Sequence, residues 1–381
     1  MSALPDVASL TSALIRCNSV TPAEGGALTL LERWLKPLGF ACHRLKFEEA
    51  GFAPVENLYA RHGKGGASFC FAGHTDVVPV GDRKAWRFDP FGGEIIEDAV
   101  CGRGAVDMKG AIAAFVKAAE ARIADGCEGS ISLLVTGDEE AEAVNGTRKV
   151  LAWMKERGET IDDCLVGEPT SGERLGDTVK IGRRGSLNGE LTIQGVQGHT
   201  AYPQLADNPL HRLVRMLRSI AEEPLDRGNA HFEPSNLQLT SIDVGNPASN
   251  VIPAEARARF NVRFNDRYDG RTIERWLRER LDAEGGRYEL AIRVSGESFL
   301  CPPGPLSDLI AGAVMKVTDS EPVLGTGGGT SDARFIKDHA RVAELGLKNA
   351  LAHKVDERVA ISELERLEAI YRAVLEGYFV R

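Results

Sequence analysis

An excess of positive charge is missing from this chain. Its 46 Lys and Arg stand against 55 Asp and Glu, a formal charge of −9, which excludes a protein that grips nucleic acid through broad counterion release. Long apolar runs are missing too. No stretch reaches the ~18 uninterrupted apolar residues of a membrane helix, and residues 1–10 hold no cationic segment leading into an apolar one. A cytoplasmic chain with no membrane partner is therefore expected. Cysteine is sparse and scattered: the seven (Cys17, Cys42, Cys70, Cys101, Cys127, Cys164 and Cys301) are odd in number and form no Cys-x-x-Cys pair. They read as reduced thiols, and without paired, closely spaced cysteines a zinc ribbon is excluded. Any metal must be held mainly by His and carboxylates. Internal repeats and low-complexity segments are absent as well, so periodicity must supply the architecture.

What is present is length and apolar content, 381 residues of which 43% are hydrophobic, enough for two or three domains around at least one large core. Up to about residue 180, helical and strand patterns alternate. Val7, Leu10 and Leu14 share one helical face, as do Leu28, Leu31, Leu35 and Leu38 before Gly39. Ser68-Phe-Cys-Phe-Ala72, Ile131-Ser-Leu-Leu-Val135 and Cys164-Leu-Val166 are short apolar runs of the buried-strand kind. Ala-rich 111–124 and the stretch 147–157 read as helices between them. This predicts an α/β fold, a mixed sheet with helices on both faces. From 181 the grammar becomes strand, helix, strand, strand, helix, strand (near 187–193, 209–221, 236–242, 257–264, 272–281 and 288–294), the order of a ferredoxin-like α+β unit. Helical and strand signals of the first kind resume after 300 and end in a helix over 361–378. The expected organisation is a discontinuous domain, 1–180 with 293–381, carrying 181–292 as an insert.

The potential metal ligands fall just beyond the predicted strand ends. His74 and Asp76 follow the first strand, Glu139 and Glu140 the second, Glu168 the third, and Asp107 precedes the Ala-rich helix. Open α/β sheets bind ligands in the crevice outside the carboxyl ends of their strands, so these groups can converge although remote in sequence. Glycine precedes each cluster, at Gly73, Gly137 and Gly167, where it is expected to let the backbone turn sharply beside an ion. Asp138 and Glu142 read as solvated acids of an acidic loop. The run Gly327-Gly-Gly-Thr-Ser331 lacks the Gly-Lys-Ser/Thr ending of a nucleotide loop. A helix cap leading into 332–336, or a carboxylate-binding loop, fits it better.

Gly73-His-Thr-Asp-Val-Val-Pro79, Gly102-Arg-Gly-Ala-Val-Asp-Met-Lys-Gly110, Asp138-Glu-Glu140, Gly167-Glu-Pro169 and His353 together resemble the aminoacylase/carboxypeptidase family of co-catalytic zinc hydrolases, in order and spacing over nearly the whole chain. The resemblance implies two zinc ions, with cobalt as a substitute, bridged by Asp107. One ion would take His74 and Glu168, the other Glu140 and His353. It further implies Glu139 as general acid/base, Asp76 orienting His74 through its other ring N–H, and His199 as an oxyanion donor reaching in from the second subunit of a homodimer formed through the insert. The chain departs from the family twice: Ala141 follows Asp138-Glu-Glu where Gly is common, and Asp356 stands where Asn is usual.

More narrowly, Gly182-Arg-Arg-Gly-Ser186, Gly198-His-Thr-Ala-Tyr-Pro203, Asn250-Val-Ile-Pro253 and Gly327–Phe335 resemble a branch acting on an N-acyl amino acid with carboxylates at both ends. Such a small-molecule substrate needs cationic forks, for which Arg183 and Arg263 are the candidates, with Asn250, Gly329 and Thr330 as further contacts. Lys180, Arg183 and Arg184 also fit a solvated basic turn. A sibling acetylornithine deacetylase or dipeptidase needs the same metals and base without the acyl-tail contact, and a metal-binding scaffold of the same fold needs no base.

Overall fold

The structure is a computed structural model and describes residues 3–379. The chain divides into two compact units, one of Met1–Ile181, Cys301–Gly325 and Ser331–Arg381, the other of Gly182–Leu300 and Thr326–Thr330.

In the first unit an eight-stranded mixed sheet runs in the order Ala41–Glu49, Phe52–His62, Ser130–Thr136, Ser68–His74, Asp163–Val166, Arg341–Glu344, Thr178–Lys180, Val323–Gly325. Its middle four strands are mutually parallel, so all four end at one edge. Every residue of Ser68–His74 and Ser130–Thr136 is buried, which requires cover on both faces of the sheet and explains why these strands read as continuous apolar runs. On one face Phe71 stacks on Phe115 of helix Gly110–Ala124 (ring centroids 4.4 Å apart) and meets Tyr371 of helix Ile361–Tyr378 edge-on at 5.7 Å. Burying side chains of this size contributes roughly 1.5–3 kcal/mol each. The antiparallel pair Ala41–Glu49 and Phe52–His62 escaped the sequence reading. Its outer strand has no buried residue, its positions being exposed or half-exposed, which leaves no apolar run to detect.

A three-stranded sheet, Arg358–Ala360, Ala99–Cys101, Glu94–Ile96, pairs Arg358 with Cys101. It thereby ties the stretch after His353 to the stretch before Asp107.

The second unit has the strand order Asn236–Asp243, Glu255–Phe264, Gly185–Gln194, Glu289–Gly296, all antiparallel, with helices Pro209–Ala221 and Gly270–Ala283 in the β-α-β-β-α-β sequence. That is the ferredoxin-like arrangement. Alternation along Glu255–Phe264 sends Ala256, Ala258, Phe260, Val262 and Phe264 into a core with Leu213, Leu217, Ile273 and Leu277 of the helices. Asn208 and Asp269 cap those helices through Leu210 N and Thr272 N, which satisfies N–H groups that the first turn leaves without partners. Among the described residues no helix is long and apolar enough to cross a membrane.

Candidate metal centre

The register of the parallel strands delivers the ligands. His74 lies opposite Thr136 and Ala72 opposite Val166, so Glu139 and Glu140, just past Thr136, and Glu168, just past Val166, emerge beside His74. Asp107 arrives on the turn before helix Gly110–Ala124, its peptide bond to Met108 cis. His353 follows the turn Asn349–Leu351 with φ +61°.

The two carboxylate oxygens of Asp107 face different histidines, Oδ1 at 3.1 Å from His74 Nε2 and Oδ2 at 3.2 Å from His353 Nε2. His74 Nε2 also lies 3.7 Å from Glu168 Oε1, and His353 Nε2 lies 3.0 Å from Glu140 Oε1. Ligand atoms of His74, Asp107 and Glu140 lie within 4.8 Å of one another, and so do those of His74, Glu139 and Glu168. The structure thus brings together all six of the expected ligands and base.

The electrostatics are those of a cage for cations. Burial raises the Glu139 carboxyl well above the usual carboxylate range, and Glu168, Asp332 and Glu140 add to the rise against the pull of His74. Burial works against protonation of His74, but Asp107, Glu168 and Asp76 outweigh it and raise its pKa well above the ordinary value. Hydrogen bonds to Asp107 and Glu140 raise His353 to about 10. Asp107 is held well below the carboxylate range, its burial outweighed by hydrogen bonds to His353 and His74. Four carboxylates crowd two imidazoles here, an anionic N/O donor set that fits divalent metal.

Two expectations are corrected by this geometry. The other ring nitrogen of His74, Nδ1, meets the Asp76 backbone carbonyl at 2.9 Å, while the Asp76 carboxylate is 3.7 Å away. That carboxylate instead accepts from the backbone N–H groups of Glu139 (3.3 Å) and Glu140 (3.0 Å) and from Thr21 Oγ1 (2.9 Å). Asp76 therefore pins the backbone of Glu139 and Glu140 and steadies His74 mainly through its main chain. Asp138, read as a solvated acid, is buried and accepts from Ala143 N, Val144 N and Asn145 N. Its carboxylate closes the loop after Glu140, whereas Glu142 is exposed.

His199, Asn250, Arg183, Arg263, Gly329 and Thr330 belong to the second unit. His199 pairs with Val251 in a two-residue ribbon, and Thr200 N donates to Asn250 O at 3.0 Å, which places Asn250 across from the residue after His199. His199 Nδ1 accepts Ala201 N–H at 3.0 Å, so the neutral ring carries its proton on Nε2 and presents it as a donor. Arg183 is buried and donates to Gly329 O at 2.9 Å, which rules out the solvated basic turn for this residue. Gly328 beside it has φ +95° and leaves room where a Cβ would come 3.1 Å from the guanidinium. The Arg263 pKa is lowered by burial and by the like charge of Arg184.

Sequence reasoning passed over Glu357, Arg103 and Lys109, all buried. Nothing local marks them, because a charged residue in a motif looks the same whether its partners are water or protein.

The family model for peptidases M20/M25/M40 matches residues 70–377. The chain belongs to this peptidase family. Like other M20 members it is a metal-dependent hydrolase. It is 59% identical over 377 residues to a succinyl-diaminopimelate desuccinylase of Rhodospirillum centenum, covering 98% of each chain. Its fold is similar to that of an M20 metallo-carboxypeptidase of Sulfolobus solfataricus, with TM-score 0.78, 16% identity, and coverage of 99% of this chain and 100% of that one. A dinuclear metal-binding M20 peptidase of Bacillus subtilis also aligns, with TM-score 0.68 and 13% identity, over 98% of both chains.

Proposed function

We propose that this chain hydrolyses the amide bond of N-succinyl-LL-2,6-diaminopimelate to succinate and LL-2,6-diaminopimelate, in lysine and diaminopimelate biosynthesis, as a cytoplasmic homodimer holding two zinc ions per subunit, with cobalt as a substitute. The observation that carries the chemistry is the pair of histidines on opposite oxygens of Asp107 with Glu139 half-buried beside His74 and Glu168. The 59% identity with the Rhodospirillum desuccinylase, over 98% of both chains, supports the substrate.

His74 and Glu168 would hold one ion, His353 and Glu140 the other, and Asp107 both. The ions would supply Lewis-acid polarisation of the amide carbonyl and an acidified water. Glu139 would take a proton from the attacking water on a carboxylate oxygen and pass it to the departing amine. His199 Nε2–H is the donor for the oxyanion, supplied across the dimer. Asp76 keeps the Glu139–Glu140 backbone in place. Arg183 and Arg263 take the substrate carboxylates by planar forked hydrogen bonds, with Asn250, Gly329 and Thr330 as further contacts.

The test is to assay the zinc-loaded protein in parallel on succinyl-diaminopimelate and acetylornithine, with and without Glu139→Gln. Turnover of the succinyl substrate is expected to dominate and to fall by roughly 100- to 10,000-fold in the variant with both metals retained. Loss of metal from the variant would make Glu139 a ligand, and preferred acetylornithine turnover would overturn the substrate.

A further inference from the structure

Beyond its ligands, the cage rests on a charged pair that reaches no reacting atom. Glu357 and Arg103 are both buried, at 0% and 2% exposure. Glu357 Oε2 takes Arg103 Nη1–H at 2.7 Å, while its Oε1 accepts the backbone N–H groups of Val106 (2.9 Å) and Asp107 (3.2 Å). The Glu357 main chain closes the same loop, its carbonyl accepting Gly102 N–H at 2.9 Å. From the other side Arg103 donates to the carbonyls of Lys354 (3.2 Å) and His353 (3.4 Å). Its guanidinium lies 5.2 Å from the centroid of Trp86, whose indole N–H is fixed on Val80 O.

One fork therefore spans the loop that carries Asp107 and the loop that carries His353. A buried ion pair is weak support for stability, because desolvation offsets its attraction. What this pair supplies is geometry. Two loops are referred to one rigid planar group, and the pairing of Arg358 with Cys101 aligns them in the same register.

We infer that Glu357 and Arg103 are positioning residues that set the separation of Asp107 from His353 and thereby the affinity of the centre for its metals. The inference rests on the proposed ligand set. Outer partners of metal ligands typically govern affinity by 10- to 100-fold. The fork matters as well as the charge: Lys at position 103 would keep the charge but could not reach Glu357 and the two carbonyls together.

The experiment is competitive titration of apo protein with zinc against a chromophoric chelator, paired with the cobalt absorption spectrum, for wild type, Glu357→Gln, Arg103→Lys, His353→Ala and Arg341→Lys. The last perturbs another ion pair, with Asp163, remote from the ligands. Glu357→Gln is expected to lose tenfold or more in zinc affinity. Arg103→Lys is expected to weaken one of the two binding steps and shift the cobalt spectrum, and Arg341→Lys to leave both steps unchanged. Should Glu357→Gln not fold, Arg103→Lys decides. Wild-type affinity in the folded variants, or an equal loss in Arg341→Lys, overturns the inference. A wild type that binds no metal, or His353→Ala that binds two as tightly, overturns the ligand set instead.

Discussion

A single proton decides what His199 can do. Because Nδ1 accepts the Ala201 N–H, the neutral ring of this exposed residue holds its proton on Nε2, the state that the proposed oxyanion role needs and that the opposite tautomer could not provide. His199→Ala is expected to lower kcat by about 100- to 1,000-fold while KM and the zinc titration change little; steady-state kinetics beside metal analysis checks this. The two departures from the family pattern are also explained residue by residue. Asp356 has φ +58°, a left-handed conformation that Asn and Asp tolerate better than other side chains, and its carboxylate takes Arg87 N at 2.8 Å and Nε at 2.6 Å. The Asp therefore keeps the turn and gains an ion pair. Ala141 is outside the left-handed region, which falls instead on Ala143 at φ +53°, so position 141 has no conformational need of glycine.

Among the elements, the glycines before the ligands turn out to make room. Gly73 and Gly167 lie outside the positive-φ region, but a Cβ on Gly73 would come 2.6 Å from the Met108 methyl, and one on Gly167 would come 2.4 Å from Phe71 Cζ and 2.7 Å from that methyl. Glycine stands next to the last residue of each strand, inside it at Gly73 and just past it at Gly167, so that Met108, next to Asp107, can pack across them. The glycines thus place the Asp107 turn against the strands that bear His74 and Glu168. Gly167→Ala overpacks this contact and is expected to destabilise the first unit by about 1–3 kcal/mol, seen as a lower midpoint in urea unfolding. An unchanged midpoint would mean the Phe71–Phe115 stack yields freely.

For the molecule as a whole, the cage places like charges together at the edge of the sheet, and cations that bind only the folded chain stabilise it by mass action, about 2.7 kcal/mol per site at a free concentration 100 times Kd. Dialysis against a chelator is expected to lower Tm and zinc to restore it; a Tm indifferent to both would contradict the centre. Much of this was legible in the chain. The apolar runs near 68–72, 131–135 and 164–166 became parallel strands, with His74 as the last residue of its strand rather than beyond it and with Glu140 and Glu168 just past theirs, since burial on both faces and a common strand direction follow from local composition and connectivity. The second unit's strand and helix order was legible for the same reason. The sequence by itself determined that His and carboxylate donors follow successive strands of one sheet, while the place of His353 among them came only from the family resemblance. Tertiary structure alone decided that Asp76 acts on the 139–140 backbone, that Asp138 is buried, and that Glu357 and Arg103 join the Asp107 and His353 loops. Periodicity reports how a segment meets solvent, but a buried charge is defined by partners brought from elsewhere in the chain, and only folding brings them.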